Sequence, residues 1–450
     1  KDPQEEMNKV LTFAEDYRQF LSHGKTEREC VKLAVAEAKA HGYEDLNDVI
    51  AAGKTLKAGD KVYSVCMGKT LAMFQIGEEP LENGMNIVGA HIDSPRIDLK
   101  QNPLYEDNDM AMFDTHYYGG IKKYQWVALP LALYGVVAKK DGTTVDIAIG
   151  DDHGDPVFGI SDLLPHLARE QMAKTAAKII EGEDLNLLIG SIPVKGEEKE
   201  AVKKNILAIL KEKYDIEEDD FISAELEVVP AGAARDYGFD RSMIMGYGHD
   251  DRVCAYPSYK AMFELGSVKR TAVCLLVDKE EIGSVGATGM TSFYFENTVA
   301  EVINACGDYS DIKVRRALNN SRMLSSDVSA GFDPNYPSVM EKNNSAFLGK
   351  GLTFNKYTGS GGKSGSNDAN AEYVALVRKI MDDADVTWQT AELGKVDVGG
   401  GGTIAYLMAK YGMNVIDSGV PVLSMHAPWE IISKADLYEA LKGYIAFLNA

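Results

Sequence analysis

One pattern constrains this chain more than any other: short apolar runs that stop on a histidine or an acid. Asn86–Ala90 leads into His91-Ile92-Asp93, Ala272–Val277 into Asp278-Lys279-Glu280-Glu281, Arg322–Ser326 into Asp327, and Pro421–Met425 into His426. A fifth group, His249-Asp250-Asp251, follows Met245–Gly248. Runs of this kind read as buried strands of an α/β sheet. Ligands bind beyond the carboxyl ends of such strands, so the five groups are expected on one rim. Burying that many carboxylates together is prohibitive unless cations neutralise them. Two imidazoles and three carboxylates suit zinc, cobalt or manganese better than magnesium or calcium. A mixed set this large suits two ions sharing one bridging carboxylate. A lone acid at a strand end is ordinarily a satisfied polar residue, and only the recurrence carries the inference.

The rest of the chain supplies the helices and an interruption. Met7, Val10, Leu11, Ala14, Tyr17 and Leu21 recur at helical spacing until Gly24. Thr26 with Glu29 is a capping-box signature for a helix through Ala40. Lys61–Met67 and Thr70–Ile76 read as strands. From about Gln101 to Tyr237 the texture changes to Tyr- and Gly-rich stretches with β-like runs at Val145–Ile149, Asn186–Ile192 and Ala224–Val229, and an acid-rich link at Lys211–Asp220. Strand candidates then resume at Thr271–Val277, Arg322–Ser325 and Val420–Ser424, alternating with helix candidates at Ser292–Ala305, Ala369–Asp382 and Lys434–Leu448. The expected organisation is one mixed-sheet α/β domain built from residues 1–100 and 238–450, with a β-rich insert at 101–237.

Composition excludes other classes. Lys plus Arg number 47 against 68 Asp plus Glu, a formal charge of −21, so nucleic acid and anionic membranes are not expected partners. The longest apolar run, Trp126–Ala138, is shorter than the ~20 residues of a membrane helix. The charged start, Lys1, Asp2, Glu5 and Glu6, does not look like a signal peptide. Five scattered cysteines without a CxxC pair read as reduced thiols, and the expected location is the cytoplasm.

In order along the chain, His91-Ile-Asp93-Ser94-Pro95, the Asp250-Asp251-Arg252 step, Glu280-Glu281, Ser325-Ser-Asp327 and Ser424-Met-His426 resemble the metal-site motifs of the M18 family. These are the aspartyl aminopeptidases and their relatives, co-catalytic zinc enzymes. Phe158–Leu167 is similar to the family's insert segment. The Tyr117–Trp126 stretch departs from the Gly-Trp-rich eukaryotic pattern and points to a bacterial branch. The resemblance implies a zinc-aminopeptidase catalytic domain with an inserted dimerisation domain, building a homo-oligomer, a closed shell of twelve subunits. It implies two divalent ions per subunit, zinc or else cobalt or manganese. His91 and Asp327 complete one, Glu281 and His426 the other, and Asp250 bridges. Asp93 orients His91. Glu280 is the general base, taking a proton from water that an ion has acidified. His166 resembles a family histidine that reaches into a neighbouring active site, with a cap on its own helix as the alternative. Lys363, in the Gly359–Ser366 loop, offers a charge for acidic side chains, with a free surface lysine as the alternative. His249 is expected to be structural.

Gly362-Lys363-Ser364 and Gly68-Lys69-Thr70 lack the first glycine of a P-loop, and no GxSxG elbow occurs. Gly399–Gly402 reads as a pocket wall that lets substrate approach. The expected activity is removal of the N-terminal residue from peptides with a free N-terminus, with Asp or Glu preferred. The alternatives are a Leu-type aminopeptidase and a non-catalytic, metal-stabilised assembly protein.

Overall fold

The apolar runs form the centre of a sheet because both of their faces are covered. The computed structural model describes residues 2–450, and the chain divides into two units. The first comprises Lys1–Ser94, Ala234–Met425 and Glu430–Ala450. Its nine-stranded sheet runs in the order Glu44–Asp45, Lys61–Cys66, Thr70–Gln75, Ala272–Val277, Asn86–His91, Arg322–Ser325, Asn414–Gly419, Leu352–Asn355, Trp388–Thr390. The four strands from Ala272–Val277 to Asn414–Gly419 are mutually parallel, so their carboxyl ends share one edge.

Side chains alternate between two cores. Cys274, Leu276, Val88, Ala90, Leu324 and Ile416 pack with the helices Pro3–His23, Glu27–Ala40, His249–Met262, Ala371–Asp383 and Lys434–Leu448. Val273, Leu275, Val277, Ile87, Met323 and Val415 pack with Leu46–Ala51, Tyr294–Cys306, Asp311–Asn319 and Ala405–Ala409. Two covered faces leave no polar side to the strand, which is why the central runs are continuously apolar. Burial at ~25 cal/mol per Å² of apolar surface makes this two-sided packing the dominant stabilising term. Three local signals behave as the sequence indicates. Gly24 ends the first helix with its N–H on the Phe20 carbonyl at 2.7 Å, and Thr26 and Glu29 form the capping box. Lys434–Leu448 is a helix over the expected residues.

Two expectations fail, one in each unit. The sheet strand near the last motif is Asn414–Gly419, not Val420–Ser424, in which Pro421–Val422 pairs with Ser329–Ala330 and Leu423 bridges to Ile431. Buried Asp417 and Ser418 interrupt the apolar signal of the true strand.

The second unit, Pro95–Ala233 with His426–Trp429, holds a six-stranded antiparallel sheet. The order is Thr144–Ile149, Leu131–Ala138, Ala224–Pro230, Arg96–Asp107, Met110–Tyr118, Leu187–Gly190. Arg96–Asp107 and Met110–Tyr118 form a hairpin across Asn108 and Asp109, both at positive φ as a type I′ turn requires. The segment read as an acid-rich link is instead the end of the helix Ala201–Tyr214 and a 3₁₀ turn, Glu218–Ser223. Among the described residues all five cysteines are free, and no helix is long and apolar enough to cross a membrane.

Candidate metal centre

Parallel pairing aligns Val277 with His91 and Ser325 with Gly89, so the residues that follow each strand meet at the shared edge. His91 is the last residue of its strand and is buried. Asp93 lies two residues beyond it. After Val277 the chain reverses through Lys279, at φ 67°, into a 3₁₀ turn at Glu280–Ile282. The Asp93 carboxylate accepts the backbone N–H groups of Glu280 and Glu281, each at 3.1 Å. Asp327 follows Arg322–Ser325. Asp250 enters from the start of the helix His249–Met262. Its N–H donates to Glu430 Oε1 at 3.1 Å, and its carbonyl accepts Ser94 Oγ at 2.7 Å.

These residues converge on one nitrogen. His91 Nε2 lies 3.1 Å from Asp250 Oδ1, 3.4 Å from Glu280 Oε2, 3.8 Å from Glu281 Oε1 and 3.8 Å from Asp327 Oδ1. The other ring nitrogen faces two acceptors, the Asp93 carbonyl at 2.9 Å and Asp93 Oδ1 at 3.1 Å. Both ring nitrogens thus face acceptors, so the ring either carries a hydrogen on each or keeps one on Nδ1 and turns the Nε2 lone pair to a cation among the four carboxylates. Four carboxylates this close are repulsive unless a positive charge stands among them.

The ionisation of the cluster shows the same frustration. Burial alone would make His91 harder to protonate, but Glu280 and the acids beside it hold its pKa well above the usual range. Burial, then like charge, raises Glu280 and Glu281 well above normal carboxylates. Burial likewise raises Asp327, where His91 pulls the other way. Donor atoms lie within 4.8 Å of one another in three sets: His91, Glu280 and Asp327; His91, Asp250 and Glu281; Asp250, Asp251 and Asp327. One imidazole with several carboxylate oxygens at this spacing fits zinc and similar divalent ions.

Sequence reasoning gave Asp251 no role, yet it is fully buried, belongs to the third set, and its Oδ2 accepts the His91 backbone N–H at 3.1 Å. Its place beside Asp250 was the available signal. His249 faces away from the cluster, as a structural residue would. Its Nδ1 lies 2.7 Å from the Tyr17 hydroxyl, its Nε2 lies 3.1 Å from the Ile244 carbonyl, and burial lowers its pKa to about 3.

The remaining candidates belong to none of the three sets. His426 is counted with the second unit, at φ 68°, with Nδ1 2.8 Å from the Gly120 carbonyl, and it belongs to none of the three sets. His166, also in the second unit, is exposed in the turn Pro165–Leu167. Lys363 is exposed, with Nζ 3.9 Å from the centre of the Tyr357 ring and 3.2 Å from Asp368 Oδ2. It lines a cavity of about 320 Å³ with Lys395, Glu392 and Gly399. The glycine run approaches the chain's own backbone. A Cβ on Gly399 would lie 1.8 Å from the Leu393 carbonyl oxygen, and one on Gly400 would lie 2.4 Å from Ser360 Cα.

The model of the family described as Aminopeptidase I zinc metalloprotease (M18) matches residues 20–448. A probable M18 family aminopeptidase 1 of Clostridium acetobutylicum is 65% identical over 445 residues, covering 99% of this chain and 96% of that protein. The crystal structure of an M18-family aminopeptidase from Thermotoga maritima matches with a TM-score of 0.94 and 44% identity, over 98% of this chain and 97% of that one. The mApe1 dodecamer of S. cerevisiae, 20% identical, has the same fold, with a TM-score of 0.78 over 96% of this chain and 95% of its own.

Proposed function

This chain belongs to the M18 family of zinc aminopeptidases, and from that premise we propose that it uses a dinuclear divalent centre to remove N-terminal residues, preferentially Asp or Glu, from peptides in the cytoplasm. The observation that carries the reading is His91 Nε2 surrounded by four carboxylates within 3.8 Å. By the motif resemblance, His91, Asp250, Glu281 and Asp327, with His426, would hold the two ions. The His426 assignment rests on the Ser424-Met-His426 motif. Bound zinc supplies a Lewis acid that polarises the scissile carbonyl and acidifies the attacking water.

The protein's own groups do the rest. Asp93 keeps the hydrogen on His91 Nδ1 so that Nε2 is free to ligate. Glu280, partly exposed at the rim, takes the proton of the attacking water and returns it to the leaving amine. Burial first, and the acids around it, raise its pKa well above that of an ordinary carboxylate. The carboxylate cluster attracts the substrate's α-amine, which confines cleavage to the first peptide bond.

One observation favours the neutral-residue alternative. Lys363 already pairs with Asp368 and stacks on Tyr357, so its charge is partly satisfied. The twelve-subunit assembly, with residues 101–237 joining subunits and His166 reaching a neighbour's site, is supported by the resemblance and by the yeast fold relative. Sedimentation would report it directly.

The test is a panel of N-terminal Asp, Glu, Leu and Ala anilides. Each is assayed with the protein as isolated, after chelation, and after restoring zinc, manganese or cobalt. Metal-restored cleavage of Asp and Glu substrates is the expected result. Restored cleavage of Leu alone would remove Lys363 from specificity, and silence on every substrate would favour the non-catalytic assembly reading.

A further inference from the structure

His249 immediately precedes Asp250, yet neither of its ring nitrogens takes part in the carboxylate cluster. The Ile244 carbonyl can only accept, so Nε2 carries the hydrogen, and Nδ1 accepts from the Tyr17 hydroxyl at 2.7 Å. Both side chains are fully buried. Burial, and after it the charge of Glu430, holds the Tyr17 phenol well above its ordinary pKa, so it remains a donor.

Tyr17 stands on the helix Pro3–His23, 232 residues earlier in the chain, where its ring packs 5.5 Å from that of Tyr256. Ile244 belongs to the strand Met243–Gly246, paired with Glu430–Ser433. Glu430 from that partner strand accepts the Asp250 N–H, and Ser94 holds the Asp250 carbonyl. The peptide that aims the Asp250 carboxylate is thus gripped by Ser94, by Glu430 and, through His249, by Tyr17.

We propose that Tyr17 is a positioning residue for the metal centre: through His249 it fixes the backbone at the start of the helix His249–Met262 and so sets where the Asp250 carboxylate meets the ions. The proposal rests on the metal-binding role of Asp250. Without the Tyr17 hydroxyl, Nδ1 of a buried ring has no donor. The ring can answer only by turning, or by moving its hydrogen to Nδ1, and either response gives up the bond to the Ile244 carbonyl. Either response moves the residue adjoining Asp250. A displacement of about 1 Å at a reacting group can cost ~100-fold in rate.

Tyr17→Phe in the full chain tests this. Zinc affinity is measured on the metal-free protein by competition with a chromogenic chelator, alongside thermal midpoints without and with zinc and a separation of kcat from KM. The expected result is a fall in zinc affinity of roughly tenfold, the lower end for outer-sphere partners of a metal site. The thermal gain on adding zinc shrinks with it, and kcat falls while KM changes little. A purely structural hydroxyl would lower both midpoints equally and leave zinc affinity and kcat at wild-type values, which would overturn the proposal.

His249→Gln gives a second reading that does not depend on Tyr17. Its amide oxygen accepts from Tyr17 and its NH₂ donates to Ile244, so zinc affinity should stay near wild type. His249→Leu, which does neither, should lose it. Equal loss in both variants would also overturn the proposal. A wild-type chain that takes up no zinc would overturn the reading of the centre itself and this proposal with it.

Discussion

Asp93 holds His91 and the two glutamates at once: its Oδ1 lies 3.1 Å from His91 Nδ1, while its two oxygens accept the N–H groups of Glu280 and Glu281. One carboxylate thereby links the strand end Asn86–His91 to the turn that follows Ala272–Val277. Asp93→Ala would leave His91 Nδ1 with the backbone carbonyl of residue 93 as its one acceptor and two backbone donors without theirs, each worth ~1–3 kcal/mol if buried. Zinc affinity, measured against a competing chelator, is expected to fall by ~10–100-fold. An unchanged affinity would show that the ring needs no such orientation.

Glu280→Gln separates a base from a ligand. Glu280 lies within ligand distance of His91 and Asp327, so geometry alone leaves both roles open. If it is the base, as proposed, the isosteric amide keeps the bound metal content while kcat drops by ~10²–10⁴-fold. Loss of one metal equivalent per subunit would make it a ligand instead, and near-normal turnover would exclude the base role.

Gly419→Ala probes the support beneath Asp327. A Cβ at Gly419 would lie 1.8 Å from the Asp327 carbonyl oxygen and 2.5 Å from its carbonyl carbon, so the Asp327 backbone must move. Crowding of this kind costs ~1–3 kcal/mol. Here it should also weaken zinc binding, because the displaced segment carries a proposed ligand. Exposed Gly266, whose added Cβ would meet nothing within 4 Å, is the control. Gly266→Ala should leave both the thermal midpoint and zinc uptake near wild type.

The central strands were legible because burial on two faces writes an unbroken apolar run, as at Ala272–Val277. The acids and histidine that end such runs could be grouped before any geometry was known. Legibility failed where the interior is polar. Asn414–Gly419 hides behind buried Asp417 and Ser418, and the burial of Val420 and Val422 mimics a strand just beyond it. In the second unit, Arg96–Asp107 carries a register shift between Leu99 and Leu104 that breaks period two. Ala201–Tyr214 buries only Val202, so its helical face has almost no apolar stripe to read. Asp251 was grouped but given no role for a different reason. A carboxylate that accepts the His91 backbone N–H leaves no trace in spacing, since the contact spans 160 residues of sequence.

Asp436 makes a pH dependence that can be isolated from the metal centre. It lies fully buried in the first turn of Lys434–Leu448, where its two oxygens accept the N–H groups of Gly349 and Gly351 at 2.8 and 2.7 Å. Burial raises its pKa to about 7, although those two N–H groups favour the charged form. An unfolded aspartate titrates near ~3.9. Between about pH 4 and pH 7 the folded chain therefore keeps a proton that the unfolded chain has released, so stability falls as pH rises through that window and levels off above it. Asp436→Asn removes the titration while keeping one acceptor oxygen. Thermal midpoints of the metal-free wild type and variant, compared at about pH 5 and pH 8, should show the smaller decline in the variant. Parallel declines would mean that Asp436 is already ionised at pH 5 and that its two N–H partners outweigh its burial.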